Sequence, residues 1–215
     1  MIHNEFIRNM FQTIIDKIGL EQMIINYVIV LGIILIYAYV IYNFIHAKKR
    51  KSKKKKEVKS IVETASMSAF FILIALVVNL GWGTYSYHNT ILNIIFLVIY
   101  IISIIINLLG RYYLGNNWGN NIVIYTDQTL VTNGVYRIVR HPLYASIIWA
   151  IYSIGVLKSN YCVFILNTIV FIPFMYYRAK QEEKELVRVY KEYEEYQKKT
   201  GMFFPNIFKM IKKER

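Results

Sequence analysis

Two groups of residues able to do chemistry stand at the two ends of one apolar stretch. Arg137, Arg140 and His141 lie in "RIVRHPLYAS", directly before Pro142. Arg178, Glu182 and Glu183 lie in "RAKQEEKEL", directly after it. The stretch between them is uncharged except for Lys158, and "GVLKSN" in its middle carries the Gly, Lys, Ser and Asn of a tight turn. Folded as a helical hairpin, it brings both groups to the same end. Arg178 and Glu182 are spaced i, i+4 and share a helix face. Arginines and a histidine that donate, beside two carboxylates that accept, suit a zwitterionic ligand.

Each residue also has a plainer role. Arg140 serves as an anchoring cation and Pro142 as the first-turn proline that starts a helix. Arg178 can snorkel, and Glu182 and Glu183 can belong to a solvated helix. The grouping of all of them at one end, beside an unusual loop, is what favours a site.

The elements that must position these groups read as membrane helices. Charge is gathered into blocks, with long uncharged runs between them in a chain that is 56% apolar. Five runs emerge: residues 24–45, 64–87, 89–110, 142–157 and 159–177. The first three exceed the ~20 residues needed to cross a ~30 Å hydrocarbon core. Nine cations lie between Lys48 and Lys59, joining runs one and two, whereas the link near "YSYHN" has none. The positive-inside bias therefore places the lysine loop, the 111–141 loop and the C-terminus in the cytoplasm, with the N-terminus outside.

The net charge of +13 fits this reading, with anionic lipid headgroups as partners near Lys48 to Lys59 and no nucleic acid. Cys162 is the sole cysteine, which excludes an internal disulfide and a Cys-based zinc site; no metal site is expected. No obligate protein partner is evident. Ile7, Met10, Phe11, Ile14, Ile15 and Ile18 repeat at helical spacing and predict an interfacial amphipathic helix rather than a signal peptide.

The 111–141 loop is too long to be a mere connection and too apolar to be disordered, so it is expected to fold around something. After Tyr177 the chain has good helix formers up to Gly201, with Tyr190, Tyr193 and Tyr196 on roughly one face. This predicts a cytoplasmic helix continuing from the fifth span, packed on the membrane surface or on the loop. "GMFFPNIFKM" then reads as an aromatic, basic interfacial strap.

"LVTNGVYRIVRHPLY", followed about forty residues later by "RAKQEEKEL", resembles the isoprenylcysteine carboxyl methyltransferase family. "LGNNWG" and the Thr-Gly…Phe-Pro ending add to the likeness, which covers roughly half the chain. The resemblance implies a membrane methyltransferase that uses S-adenosyl-L-methionine. It implies cofactor contacts at Gln128, Thr129, Leu130, Val131 and Tyr136, at His141, Pro142, Leu143 and Tyr144, and at Glu182, with a weaker match at Asn121. Arg178 matches the arginine that faces the methyl acceptor and would be the catalytic, substrate-binding residue.

The implied acceptor is lipid-like or prenylated. An amine acceptor would need a base, for which Glu183 is a candidate. Related readings are a phospholipid N-methyltransferase, an NADPH-dependent isoprenoid or sterol reductase, and a non-catalytic membrane protein. Two departures from the family pattern stand out: Gln128 replaces a histidine, and "VYKEYEEY" lacks a glycine. The expectation is thus an all-α integral membrane protein of about five transmembrane helices. Residues 1–108 would form the N-terminal helix and first three spans, and 109–215 the methyltransferase core.

Overall fold

The computed structural model describes residues 19–48, 54–58, 61–86, 89–117, 122–125 and 129–206. The amphipathic stretch expected over residues 7–18 lies outside them. Uniformly apolar sequence gives long helices: α1 (Leu20–Lys48), α2 (Ile61–Asn79) and α3 (Thr90–Leu114). The hairpin follows as α4 (Pro142–Leu157) and a second arm built from α5 (Tyr161–Leu166), a π turn (Asn167–Phe171) and α6 (Ile172–Val189). A short α7 (Tyr193–Lys199) completes the chain of helices.

Three of these are long and apolar enough to cross a membrane: Leu20–Asn43, Thr90–Leu114 and Tyr161–Val189. Two further apolar helices, Ser66–Asn79 and Pro142–Leu157, are shorter. The second run was expected to continue to residue 87, but α2 stops at Asn79. Gly81 and Gly83 follow with φ of +69° and +76°, a left-handed backbone that ends the helix.

Helix α4 is the central element. On one side Ala150 and Leu157 pack with Ile25 and Ile29 of α1 and Tyr100 and Ile104 of α3. On the other, Ile148 and Ile151 pack with Phe70, Ile74 and Val77 of α2 and with Val163, Phe171 and Met175 of the second hairpin arm. Outward positions such as Ile34, Ile41, Ile94 and Ile169 are large, apolar and exposed, as lipid-facing positions are. Helices α3 and α4 approach closely because Gly110 offers no side chain: a Cβ there would lie 2.9 Å from Leu143 Cδ2. Polar groups line the same seam. Arg111 Nε donates to Asn107 Oδ1 at 3.0 Å, and Asn107 Nδ2 donates to Ser146 Oγ at 2.9 Å.

The hairpin turn is fixed by Asn160. Its side chain caps α5 by accepting from the Val163 amide at 3.1 Å and donates to the Trp82 carbonyl at 2.9 Å. The π turn lies just before Pro173, which has no amide hydrogen and cannot continue α-helical bonding. Asn167 anchors that turn to α4 by donating to the Ile148 carbonyl at 3.0 Å.

The fold is helical, with one addition to the expected all-α architecture. Strand β1 (Lys54–Val58) pairs antiparallel with β2 (Ile122–Tyr125), Val58 opposite Ile122 and Lys54 opposite Tyr125. The β-branched "IVIY" favours a strand, whereas the lysine run of β1 has no apolar alternation to announce one. A second difference is at the C-terminal helix. It does not run unbroken to Gly201: Tyr190 is extended, with φ −116° and ψ 108°, so α6 and α7 are separate and the three tyrosines do not share one helix.

Candidate active site

Helix α4 begins at Pro142, so His141 and Arg140 are presented at its N-terminal end. Helix α6 brings Arg178, Glu182 and Glu183 past the same place. The hairpin thereby unites the two sequence groups as their spacing implied. Arg140 Nε donates to Glu183 Oε1 at 2.7 Å, and His141 Nε2 lies 3.2 Å from the same oxygen. A carboxylate only accepts, so the hydrogen bond requires the proton on His141 Nε2. His141 Nδ1 lies 3.8 Å from Glu182 Oε2.

The two glutamates differ in their surroundings. Glu183 is 2% exposed and receives Arg140, His141 and, at 3.0 Å on its other oxygen, Gln197 Nε2. Three donors commit both of its oxygens. Glu183, the base candidate for an amine acceptor, thus has both oxygens engaged and ties α6 to the start of α4 and to α7. Glu182 has a side chain 35% exposed and accepts from the Tyr144 hydroxyl at 3.0 Å. It is the carboxylate that a ligand can reach.

Tyr144 is the bridge in this cluster. Its hydroxyl accepts from Arg178 Nε at 3.1 Å while donating to Glu182, so Arg178 and Glu182 are joined through it. The His141 and Tyr144 rings are stacked, with centroids 5.4 Å apart and planes 4° from parallel. Phe203 meets both rings edge-on, at 6.2 and 6.5 Å.

Arg140 is more than an anchoring cation. Its guanidinium donates to the Gln197 and Thr200 carbonyls, and its amide donates to the Gly201 carbonyl at 2.8 Å. The His141 amide donates to Met202 at 3.1 Å, and Val139 bridges Gly201 in parallel. The strap after α7 is thus stitched beneath the start of α4. Gln197, Thr200 and Phe203 had no motif to mark them. Only their closeness to Arg140 and His141 in space gives them a part.

The remaining expected residues fall into three groups. Tyr136 is buried; its hydroxyl donates to the Gly110 carbonyl at 3.3 Å, and its carbonyl accepts from Tyr196. Burial pushes its phenol well above the ordinary value, and the neighbouring Glu182 carboxylate pushes the same way. Pro142 and Leu143 turn toward Gly110 of α3. Thr129 is exposed and its carbonyl accepts from Asn117 Nδ2 at 2.9 Å, while Leu130 and Val131 are half-buried. Asn121 and Gln128 lie outside the described residues. Arg137 is exposed, in keeping with an anchoring role.

Comparison with known proteins bears on the same segment. The family model of isoprenylcysteine carboxyl methyltransferases matches residues 94–188. A methanethiol S-methyltransferase of Pseudomonas deceptionensis is 33% identical over 82 residues, which is 38% of this chain and 30% of that protein. A cobalt-zinc-cadmium resistance protein, CzcN, of Cupriavidus metallidurans is 30% identical over 81 residues, 38% of each chain. The chain spans 30% and 38% of the lengths of these relatives. The matched segment holds the α3–α4 seam, the His141 turn, the hairpin and the Arg178–Glu183 helix, and over it the chain is similar to the isoprenylcysteine carboxyl methyltransferase family.

Proposed function

We propose that the protein is an S-adenosyl-L-methionine-dependent membrane methyltransferase of about five spans. It acts on a lipid-like or prenylated acceptor at the cytoplasmic face, with its N-terminus outside. The observation that carries this reading is the connected line Arg178–Tyr144–Glu182–His141 at the open end of the α4–α6 hairpin.

The donor set fits the cofactor. Glu182 is a reachable carboxylate for an ammonium or for ribose hydroxyls. Stacked His141 and Tyr144 offer an aromatic wall beside a cationic sulfur. Thr129, Leu130 and Val131 supply backbone polar groups and an apolar surface for the base, with Asn121, Gln128 and Tyr136 nearby in sequence. When bound, the cofactor supplies an electrophilic methyl group that a lone pair can take without general-acid help.

What the protein contributes is position. Arg178 grips an acceptor carboxylate at two points, and the Tyr144 hydroxyl fixes the guanidinium that does so. Holding nucleophile and methyl group in line supplies most of the rate. Glu183, Arg140 and the strap keep His141 and Glu182 in place and exclude water from one side of the cluster.

A thiol acceptor is the second reading, favoured by the methanethiol S-methyltransferase among the similar proteins. Isothermal titration with S-adenosylhomocysteine in detergent tests the shared part. Incubation with labelled cofactor and a total lipid extract, beside a panel of small thiols, separates the two acceptors. An absence of binding overturns both.

A further inference from the structure

His141 and Glu182 meet acceptor to acceptor. His141 Nε2 lies 3.2 Å from Glu183 Oε1, and an ionised carboxylate only accepts, so the one ring proton of the neutral imidazole is committed there. Nδ1 is then a bare lone pair. Glu182 Oε2 lies 3.8 Å from it and, while ionised, also only accepts.

The surroundings do not supply a donor. His141 is the N-cap residue of α4, where a side-chain acceptor ordinarily takes an amide of the first turn, yet it makes no such bond. Arg140 and Gln197 donate to Glu183. Arg178 donates to the Tyr144 hydroxyl, which donates onward to Glu182. Burial holds the Tyr136, Tyr193 and Tyr196 phenols neutral, and the Tyr136 and Tyr196 hydroxyls donate to backbone carbonyls. Tyr144 and Phe203 cover the imidazole with aromatic rings. Among the described residues, then, no donor reaches Nδ1 of a side chain that is only 6% exposed. Two acceptors so placed repel, and a buried acceptor without a donor is costly. A donor held against both relieves the conflict. An ammonium nitrogen can lie ~2.9 Å from each.

We propose that the gap between His141 Nδ1 and Glu182 Oε2 is a seat for one donor, taken either by a proton on Nδ1 or by the ammonium group of a ligand, so that proton and ligand exclude each other. This rests on the methyltransferase reading only for the source of the ammonium, the amino-acid head of the cofactor. With the imidazole neutral, the seat is open and carries one negative charge. With Nδ1 protonated, the imidazolium pairs with Glu182 and the seat is shut. Imidazole is the side chain that makes this change in the physiological range. On ligand binding in acid, the proton leaves Nδ1 for solvent. Affinity therefore falls toward ~tenfold per pH unit on the acid side of the imidazole titration. By linkage, bound ligand weakens proton binding by the same factor.

The test uses the full chain in detergent with 15N in its four histidines. The His141 nitrogens, assigned by their loss in His141→Gln, should carry a proton on Nε2 at neutral pH and gain one on Nδ1 in acid. A neutral form protonated on Nδ1 overturns the seat. Calorimetric titration with S-adenosylhomocysteine follows, between about pH 5 and 7, in two buffers of different ionisation enthalpy. Affinity should fall in acid, with nearly one proton released per ligand there. An analogue with hydrogen in place of the ammonium should show no acid loss. His141→Gln keeps an amide donor for Glu183 and has no titrating nitrogen, so its affinity should not change with pH. Flat affinity in the parent, or acid loss that survives in the analogue or the variant, overturns the competition. If S-adenosylhomocysteine binds at no pH, the methyltransferase reading fails, and Glu182→Gln decides the seat alone. Without that carboxylate charge, Nδ1 should hold its proton several-fold less tightly. An unmoved titration overturns the seat.

Discussion

Arg140 and Glu183 form the shortest charged contact in the cluster, 2.7 Å between Nε and Oε1, with side chains only 10% and 3% exposed. They come from opposite arms of the hairpin, 43 residues apart. A buried pair of this kind is costly to break from one side, because the survivor stays buried without its partner. Glu183→Ala should therefore lower stability by about 3–5 kcal/mol, read by thermal unfolding in detergent. Glu183→Gln keeps the shape and part of the bonding, and should fall between the variant and the parent.

Glu182 predicts the opposite phenotype. Its carboxylate is partly exposed, and its hydrogen bond across the hairpin, from the Tyr144 hydroxyl, is uncharged on the donor side, unlike the buried Arg140–Glu183 contact. Glu182→Ala should leave the melting temperature nearly unchanged and abolish S-adenosylhomocysteine binding by titration. If instead Glu182→Ala unfolds the protein and Glu183→Ala only loses ligand, the roles of the pair are exchanged.

On the proposed function, Arg178 and Tyr144 act together on the acceptor. Arg178→Ala should retain cofactor binding and lose methyl transfer. Tyr144→Phe removes the hydroxyl that fixes Arg178 and Glu182 while keeping the ring stacked on His141. A misplaced guanidinium should cost roughly ten- to a hundredfold in kcat/KM, against a small change in stability. Loss of cofactor in Arg178→Ala would move that arginine into the cofactor pocket.

The docking of α7 gives a pH dependence. Burial pushes the Tyr193 and Tyr196 phenols well above their ordinary value of 10.0; for Tyr193 the carboxylates of Glu183 and Glu182 add to this. Phenols with a raised folded-state pKa contribute stability that is complete below the unfolded value. It is lost as pH rises through 10 toward the folded value. The melting temperature should thus be flat across neutral pH and fall above about pH 10, less steeply in Tyr193→Phe. A decline that begins near neutrality would point to a different group.

The strap is tight at Gly201. A Cβ there would fall 1.9 Å from the Phe204 carbonyl oxygen. Gly201→Ala should displace the strap at a cost of about 1–3 kcal/mol and release Phe203 from the His141 and Tyr144 rings. Exchange at the Arg140 and His141 amides, which donate to the strap, reports the displacement directly.

Much of this arrangement was legible in the sequence because it depends on periodicity and charge. Uncharged runs of membrane length gave α1 and α3, and Pro142 marked the start of α4. The "GVLKSN" turn implied the hairpin, and the hairpin implied that His141 and Glu182 meet. The resemblance set Glu182 apart as a cofactor contact, but that Glu183 is the buried, triply bonded carboxylate was not legible. Adjacent residues of one type differ only in which way the helix turns them, and that follows from partners at Gln197 and Arg140. Strand β1 escaped notice because its lysines carry no alternation, and the end of α2 because an apolar run continues past it. The break at Tyr190 falls within "VYKEYEEY", the stretch that departs from the family pattern by lacking a glycine.

The stitching of residues 200–202 under Arg140 and His141 also sets an order in time. Arg140 and Thr200 are 60 residues apart. At ~5–20 residues per second, a ribosome takes several seconds to pass from the first to the second. Glu183 follows 43 residues after Arg140, but the Thr200 and Gly201 carbonyls that also bind Arg140 come only at the end of that interval. The nascent protein is then a set of inserted helices with an open, charged end. On the proposed function, the His141–Tyr144 wall of the site is complete only when the strap arrives, so ligand binding would report that synthesis has passed the strap and not merely that the helices are in place.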